Sequence, residues 1–432
     1  MTNQLTEIIK NRHNQNIKGV YCACTANETV LRVCMERAKI SDTPLIIEAT
    51  ANQVNQYGGY TGMRPQDYVD FIYALAKEEE FPVERIILGG DHLGPLTWSG
   101  LPALQAMAEA EELVRLFVIA GFTKIHLDTS MHLADDDQST VLATKTIAER
   151  GGRLAWVARD AYRELLKSKP KAIAPCFIIG SEVPIPGGEQ EDTGLAVTKA
   201  SDFRETVQIY QTVFEEMGLS DIWPQIVGVV VQPGVEFGDD TIHEYDRVAA
   251  SELIAALDEY PQLVFEGHST DYQTKDKLRA MVDDGIAMLK VGPALTYYYR
   301  QGLFALAKIE EELLYGDKEL SNFIETLETQ MLAEPKDWEK YYHGDANKMR
   351  LARKYSYSDR CRYYLPKKQI AISINKLLRN FTGIKIPLTL ISQYMPLQYA
   401  KVRDKSLANE ALELVKDFIA GCIDDYLYAI KR

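Results

Sequence analysis

Short apolar runs rich in Val, Ile and Leu alternate along this chain with longer segments whose apolar residues recur at helical spacing. That alternation is the signature of successive βα units and a parallel sheet. Eight strands are expected near Val20–Thr25, Leu45–Thr50, Ile86–Asp91, Lys124–Asp128, Cys176–Glu182, Ile226–Gln232, Leu263–Gly267 and Ala287–Val291, with helices between them such as Asp67–Glu79, Leu101–Ala120, Ser201–Met217 and Lys275–Asp284. Eight units favour closure into a (β/α)8 TIM barrel, an α/β fold, over an open doubly wound sheet. The first strand runs into Ala26-Asn27-Glu28, and the chain contains neither GxGxxG nor GxxxxGK[ST], so the phosphate loops of dinucleotide- and nucleotide-binding sheets are missing. After about residue 316 the pattern changes to helical segments rich in Tyr, Lys and Arg, notably Gln369–Phe381 and Leu407–Ala429. The expected organisation is a barrel domain over 1–315 with a C-terminal helical extension over 316–432 packed on it.

The strands share a second property: they end in polar side chains. Glu48, the pair Asp91 and His92, Asp128, Glu182, Gln232, the pair Glu266 and His268, and Lys290 follow one another at successive strand ends. In a parallel barrel the carboxyl ends of the strands build the active site. One buried acid at a strand end is often a structural ion pair, but seven polar ends around one axis crowd negative charge that a divalent cation would relieve. His92, Glu182 and His268 are the expected ligands, with Gln232 or Glu266 in support, a mixture suited to Zn²⁺ and also to Mn²⁺ or Co²⁺. His126, two residues before Asp128, is a supporting candidate; His13, His132, His243 and His343 have no comparable setting. Asp91, then Asp128, are the expected acid–base groups, with Glu182 also a catalytic candidate. Lys290 admits a competing Schiff-base reading, beside the plainer one of balancing carboxylates or binding an oxyanion.

Composition narrows the partners. The 432 residues carry 48 Lys+Arg against 62 Asp+Glu, a formal charge of −14, which disfavours nucleic acid. An anionic substrate must therefore meet local positive charge. Arg360 and Arg362 stand among four tyrosines in the segment YSYSDRCRYYLP from Tyr355 to Pro366; their forks suit phosphate, or else they pair with barrel acids while the tyrosines pack. Glu48, Gln53, Gln232, Ser269, Thr270 and Lys290 complete the expected substrate contacts, and the glycine-rich loop from Asn52 to Met63 is placed as a lid. Six dispersed cysteines without CxxC spacing, no apolar run of membrane length and no signal-like start point to reduced thiols, no membrane and a cytoplasmic protein.

Several segments carry a specific resemblance: IEATANQVNQYGGYTGM (Ile47 to Met63), LGGDHLGP (Leu88 to Pro95), GSEVPIPGGE (Gly180 to Glu189), VVQPGVEF (Val230 to Phe237), GHSTDYQ (Gly267 to Gln273), KVGPALT (Lys290 to Thr296), YSYSDRCRYY (Tyr355 to Tyr364) and ISQYMP (Ile391 to Pro396). Together, over nearly the whole chain, they resemble the GatZ/KbaZ family. The resemblance implies a barrel related to class II, metal-dependent ketose-bisphosphate aldolases and a place in galactitol, N-acetylgalactosamine or tagatose catabolism. Some members of that family are non-catalytic partners of the catalytic subunit of D-tagatose-1,6-bisphosphate aldolase, while relatives are 4-epimerases acting on tagatose 6-phosphate or free ketohexoses. Older labels call members tagatose-6-phosphate kinases, against which the missing nucleotide loops count. Asp91-His92 matches the class II aldolase Asp-His pair, Gln232 stands where that pattern has a second histidine, and Glu266-Gly267-His268 departs from its His-Gly-Ala-Ser run. The expected function is metal-dependent C4 epimerisation of a phosphorylated ketohexose (tagatose 6-phosphate/fructose 6-phosphate). The alternative is an accessory subunit of a class II aldolase; a homo-oligomer fits either.

Overall fold

In the computed structural model, which describes residues 2–12, 16–181, 195–316 and 319–431, eight parallel strands close into a barrel. These are β1 (Val20–Cys24), β2 (Leu45–Thr50), β3 (Ile86–Leu93), β4 (Lys124–Leu127), β5 (Cys176–Ile179), β6 (Ile226–Val231), β9 (Val264–Gly267) and β10 (Met288–Val291), the last pairing with β1. Between β6 and β9 the chain adds a small antiparallel ribbon of β7 (Glu236–Phe237) and β8 (Ile242–His243), which the sequence pattern did not announce. Both faces of a barrel strand are covered, so the strands read as continuous apolar runs.

Side chains alternate between the lumen and the outer helices. The base of the lumen is apolar: Val20, Ile46, Ile87, Ile178 and Met288 form one cluster with Leu5, Ile8 and Ile9. Those three belong to the helix Gln4–Asn11, which plugs the amino ends of the strands. Asn3 fixes the plug, accepting from the amides of Leu5 and Thr6 while donating to the carbonyls of Thr123 and Ala174. Higher in the lumen the residues turn polar.

After residue 316 the described chain is helical, and its last helix reaches the barrel's outer ring. Ala411–Ile430 lies against Lys275–Asp283, Pro293–Leu313 and Glu28–Ser41, taking a place in the outer ring. Its Tyr426 hydroxyl meets the Thr270 hydroxyl at 3.1 Å and donates to the Thr270 carbonyl, and the Ile430 carbonyl accepts from the Lys18 amide. No helix among the described residues is long and apolar enough to cross a membrane.

Candidate active site

Strand β4 supplies three inward side chains at alternate positions: Lys124, His126 and, just past its end, Asp128. The lowest, Lys124, is fully buried with its ammonium 2.6 Å from Glu48 and 2.6 Å from Glu266. Glu48 also pairs with Lys290, which reaches Asp91 at 2.8 Å. Gly89 makes room for this layer, because a Cβ there would lie 2.7 Å from the Glu48 carboxylate. Burial alone raises a carboxylate pKa; the Lys124 charge and the His268 hydrogen bond outweigh it and hold Glu266 at about 2. Burial likewise pulls Lys290 down to about 8, while the two carboxylates against its ammonium favour the charged form.

Above this ionic layer stand His92, His126 and His268, all buried. Their ring centroids are 4.8 to 5.2 Å apart. Each ring has its own carboxylate: His92 Nδ1 lies 2.7 Å from Asp128, His126 Nδ1 3.2 Å from Asp91, and His268 Nε2 2.9 Å from Glu266. Donation to those carboxylates leaves His92 Nε2 and His268 Nδ1 with the lone pair by which imidazoles ligate metals, while His126 Nδ1 also lies 3.2 Å from the His92 amide, which donates to it. His126 Nε2 is buried without any hydrogen-bond partner, a costly omission unless the atom serves as a ligand. Potential ligand atoms of Asp91, His92, His126 and His268 all lie within 4.8 Å of one another, so the group could hold a metal ion. Charge agrees: around neutral imidazoles, Glu48, Asp91, Asp128 and Glu266 face, among the described residues, the cations Lys124 and Lys290 alone, a deficit that a dication fills. Without one, burial would lower His92, yet the charge of Asp91 and the bond to Asp128 outweigh it and raise His92 to about 9. Asp128, which burial raises, is brought to about 2 chiefly by His92.

The backbone is strained where these ligands enter. The register between β3 and β4 shifts between Gly90 and Leu93, and His92 inside that bulge has φ of 47°; Ser269, next to His268, has φ of 53°. Non-glycine residues rarely adopt this region, and such strain persists where function holds it. Gly94 is held for another reason: a Cβ there would sit 1.6 Å from the Asp128 carbonyl oxygen. Gly94→Ala is therefore expected to displace the end of β4 and its contact to His92, costing roughly 1–3 kcal/mol from overpacking, read from urea unfolding midpoints.

Over the histidines opens a cavity lined by Cys24, Gln53, Tyr60, Asp91, His92, His268, Ser269, Asp271, Lys290, Arg362 and Tyr363 among others. Gln53 comes from the glycine-rich loop, its side-chain oxygen accepting from the Thr50 amide. Asp271 accepts from the amides of Gly292 and Ala294 at the start of the helix Pro293–Leu313, and burial raises its pKa to about 6. Arg362 arrives from outside the barrel on a turn anchored by Asp359, which binds Arg300 and Thr296 at 2.7 Å each. Its guanidinium donates to the carbonyls of Ser358 and Asp359 and to the Tyr363 hydroxyl. Among the described residues it pairs with no carboxylate, leaving its charge available to an anion.

The residues singled out in the sequence thus fall into three groups. Asp91, His92, His268, Gln53, Ser269, Lys290 and Arg362 line the cavity, and Asp128 backs His92. Glu48 is buried in the ionic layer beneath; the Gln232 side chain turns back to accept from Gly234 and Val235; Thr270 donates to the Lys290 carbonyl; and Arg360 donates to the Asp337 carbonyl and stacks on Tyr341. These four are absent from the cavity lining. Glu182 lies outside the described residues, as does His13. His126 joins the expected ligands as a full member of the cluster, and its signal was its two-residue spacing from Asp128. Lys290, held between two carboxylates, is placed to balance charge.

The chain matches, over residues 5–431, the family described as D-tagatose-1,6-bisphosphate aldolase subunit GatZ/KbaZ-like. A crystal structure described as a probable tagatose 6 phosphate kinase from Sinorhizobium meliloti 1021 is 44% identical, with a TM-score of 0.87, covering 95% of this chain and 100% of that one. The YdjI aldolase from Escherichia coli K12 also matches, at 12% identity and a TM-score of 0.43, covering 87% of this chain and 100% of its own.

Proposed function

The chain belongs to the D-tagatose-1,6-bisphosphate aldolase subunit GatZ/KbaZ-like family, and on that premise we propose that it is itself an enzyme, epimerising a phosphorylated ketohexose at C4 with a divalent metal. The observation that carries this reading is the set of three imidazoles, each backed by a carboxylate, beneath a cavity that also holds Asp91. A purely supportive subunit needs no such set.

His92, His126 and His268 would hold the ion, Zn²⁺ first with Mn²⁺ or Co²⁺ as alternatives. When bound, it supplies Lewis acidity that polarises a ketone and stabilises the enediolate charge beside it. Asp91, whose carboxylate is paired with the Lys290 ammonium at 2.8 Å, accepts the proton of the C4 hydroxyl as the C3–C4 bond breaks. The electron pair of that bond passes to the ketone half as the enediolate, and the other half becomes an aldehyde. Rotation of the aldehyde and re-addition at its other face invert C4. Arg362 binds the phosphate and keeps the aldehyde half in place between cleavage and re-addition. Ser269, Gln53 and Lys290 contact the sugar, and Asp128 orients His92.

The family description favours a second reading, in which the chain supports the catalytic subunit of a class II aldolase. Incubating the purified chain with Zn²⁺ or Mn²⁺ and tagatose 6-phosphate, fructose 6-phosphate or tagatose 1,6-bisphosphate separates the two. The C4 epimer is the expected product. Trioses formed only after a class II aldolase subunit is added would replace the proposal with the accessory role. ADP formation with added ATP would replace it with a kinase.

A further inference from the structure

Epimerisation by cleavage and re-addition has a stereochemical demand that one base does not meet. The C4 hydroxyl points in opposite directions in the two epimers, so a group that takes its proton in one is badly placed to return a proton in the other. The site needs a second group, remote from Asp91 and able to hold or release a proton.

Asp91 enters the cavity from the strand ends. At the rim, from the turn Arg360–Tyr363, comes a phenol: Tyr363 lines the same cavity and is half-buried. Its hydroxyl accepts from Arg362 at 3.1 Å. The hydroxyl proton itself has no acceptor among the described residues, so it is available to a ligand in the cavity. The ring is fixed by the edge of Tyr60, 4.8 Å between centroids. It is overlaid by two guanidinium groups, Arg362 at 4.5 Å and Arg360 at 5.0 Å from its centroid. Cations on the face and at the oxygen favour the phenolate. Burial raises a phenol pKa, but the charges of Arg362 and Arg360 exceed that effect, against an opposing contribution from Asp337, and Tyr363 is held below the ordinary tyrosine value. Tyr60, beside it but dominated by burial, moves the other way. Of two tyrosines in contact on the cavity wall, one is prepared for ionisation.

We propose that Tyr363 is a catalytic acid–base residue of the C4 reaction, serving the face of the aldehyde carbon that Asp91 does not. The proposal rests on the epimerase reading above. In one direction Asp91 takes the C4 hydroxyl proton, the C3–C4 pair moves into the enediolate, and the aldehyde rotates. The enediolate then adds to its other face, and the new C4 alkoxide takes the phenol proton of Tyr363. Asp91 ends protonated and Tyr363 ends as phenolate; solvent returns the proton from the acid to the phenolate. In the reverse direction the phenolate begins and Asp91 completes the cycle.

The test is Tyr363→Phe in the metal-loaded enzyme. The kcat is expected to fall by ~10²-fold or more in both directions, with KM within about threefold, metal content and thermal midpoint unchanged, and the pH–rate limb belonging to phenol ionisation gone. A difluorotyrosine placed at 363 covers the case of a poorly folding variant: its more acidic phenol should shift that limb to lower pH. A kcat within about threefold of the wild type, or a limb that stays in place with difluorotyrosine, overturns the proposal while leaving the epimerase reading intact. A wild-type enzyme that forms no C4 epimer overturns both.

Discussion

Replacing His126 by alanine is expected to strip the protein of its metal and of its turnover together. The ring is buried, its Nε2 has no partner, and it stands at the corner of a triangle whose other corners are His92 and His268. With two imidazoles left, a set of three protein ligands would have to draw on Asp91, whose carboxylate is held by Lys290 at 2.8 Å, a weaker site for a catalytic ion. Loss of a hydrogen-bonding partner behind a ligand typically costs ~10–100-fold in affinity or activity, and that is the size expected for Asp128→Asn. His126→Ala should exceed it, and the order of the two effects is itself informative. Elemental analysis of the dialysed proteins, with competitive chelator titration, reads both. Full metal stoichiometry in His126→Ala would mean that this triangle is not the metal site.

Lys124→Met should damage the molecule in a different way. The ammonium lies between Glu48 and Glu266 where nothing is exposed, so its removal leaves two buried carboxylates facing each other. Breaking a buried pair from one side costs ~3–5 kcal/mol, far more than an exposed pair contributes. Urea unfolding of the metal-free protein should show a loss of that size, since Glu266 and Glu48 must take up protons or water. Adding Glu48→Gln should recover part of it, because one of the two carboxylates that lose Lys124 is then neutral. The effect should reach the site as well: Glu266 fixes His268 and Glu48 fixes Lys290, so metal affinity should fall with stability. An unchanged midpoint in Lys124→Met would show that the ionic layer is neutralised by protons instead of by Lys124.

The barrel was readable because its signal is local: each strand is an apolar run, and eight runs with helices between them leave few alternatives. The strand-end rule singled out Asp91, His92 and His268 for the same reason, and the fold gathers them at one cavity. It was silent about direction. Gln232 and Thr270 also stand at or just beyond strand ends, yet one folds back on its own turn and the other binds the Lys290 carbonyl, which depends on φ and ψ at single residues. His126 sits one inward step below a strand end, so only the two-residue period with Lys124 and Asp128 marked it. The place of Ala411–Ile430 in the outer ring was invisible, because an amphipathic helix does not state what it covers. Arg362 and Tyr363 were visible only as an odd pairing of charge and aromatics; the buried Asp359 anchor that brings them over the cavity is a long-range fact.

That late helix sets a schedule for the ribosome. All eight strands and every other described helix are made before residues 411–430 emerge, so during synthesis the ring stays open between Glu28–Ser41 and Lys275–Asp283. The partners of this contact are separated by most of the chain, the kind of closure that is slow and leaves apolar surface exposed meanwhile. The nascent protein thus carries an uncovered seam until residues 411–430 have emerged, and chaperones would meet it there.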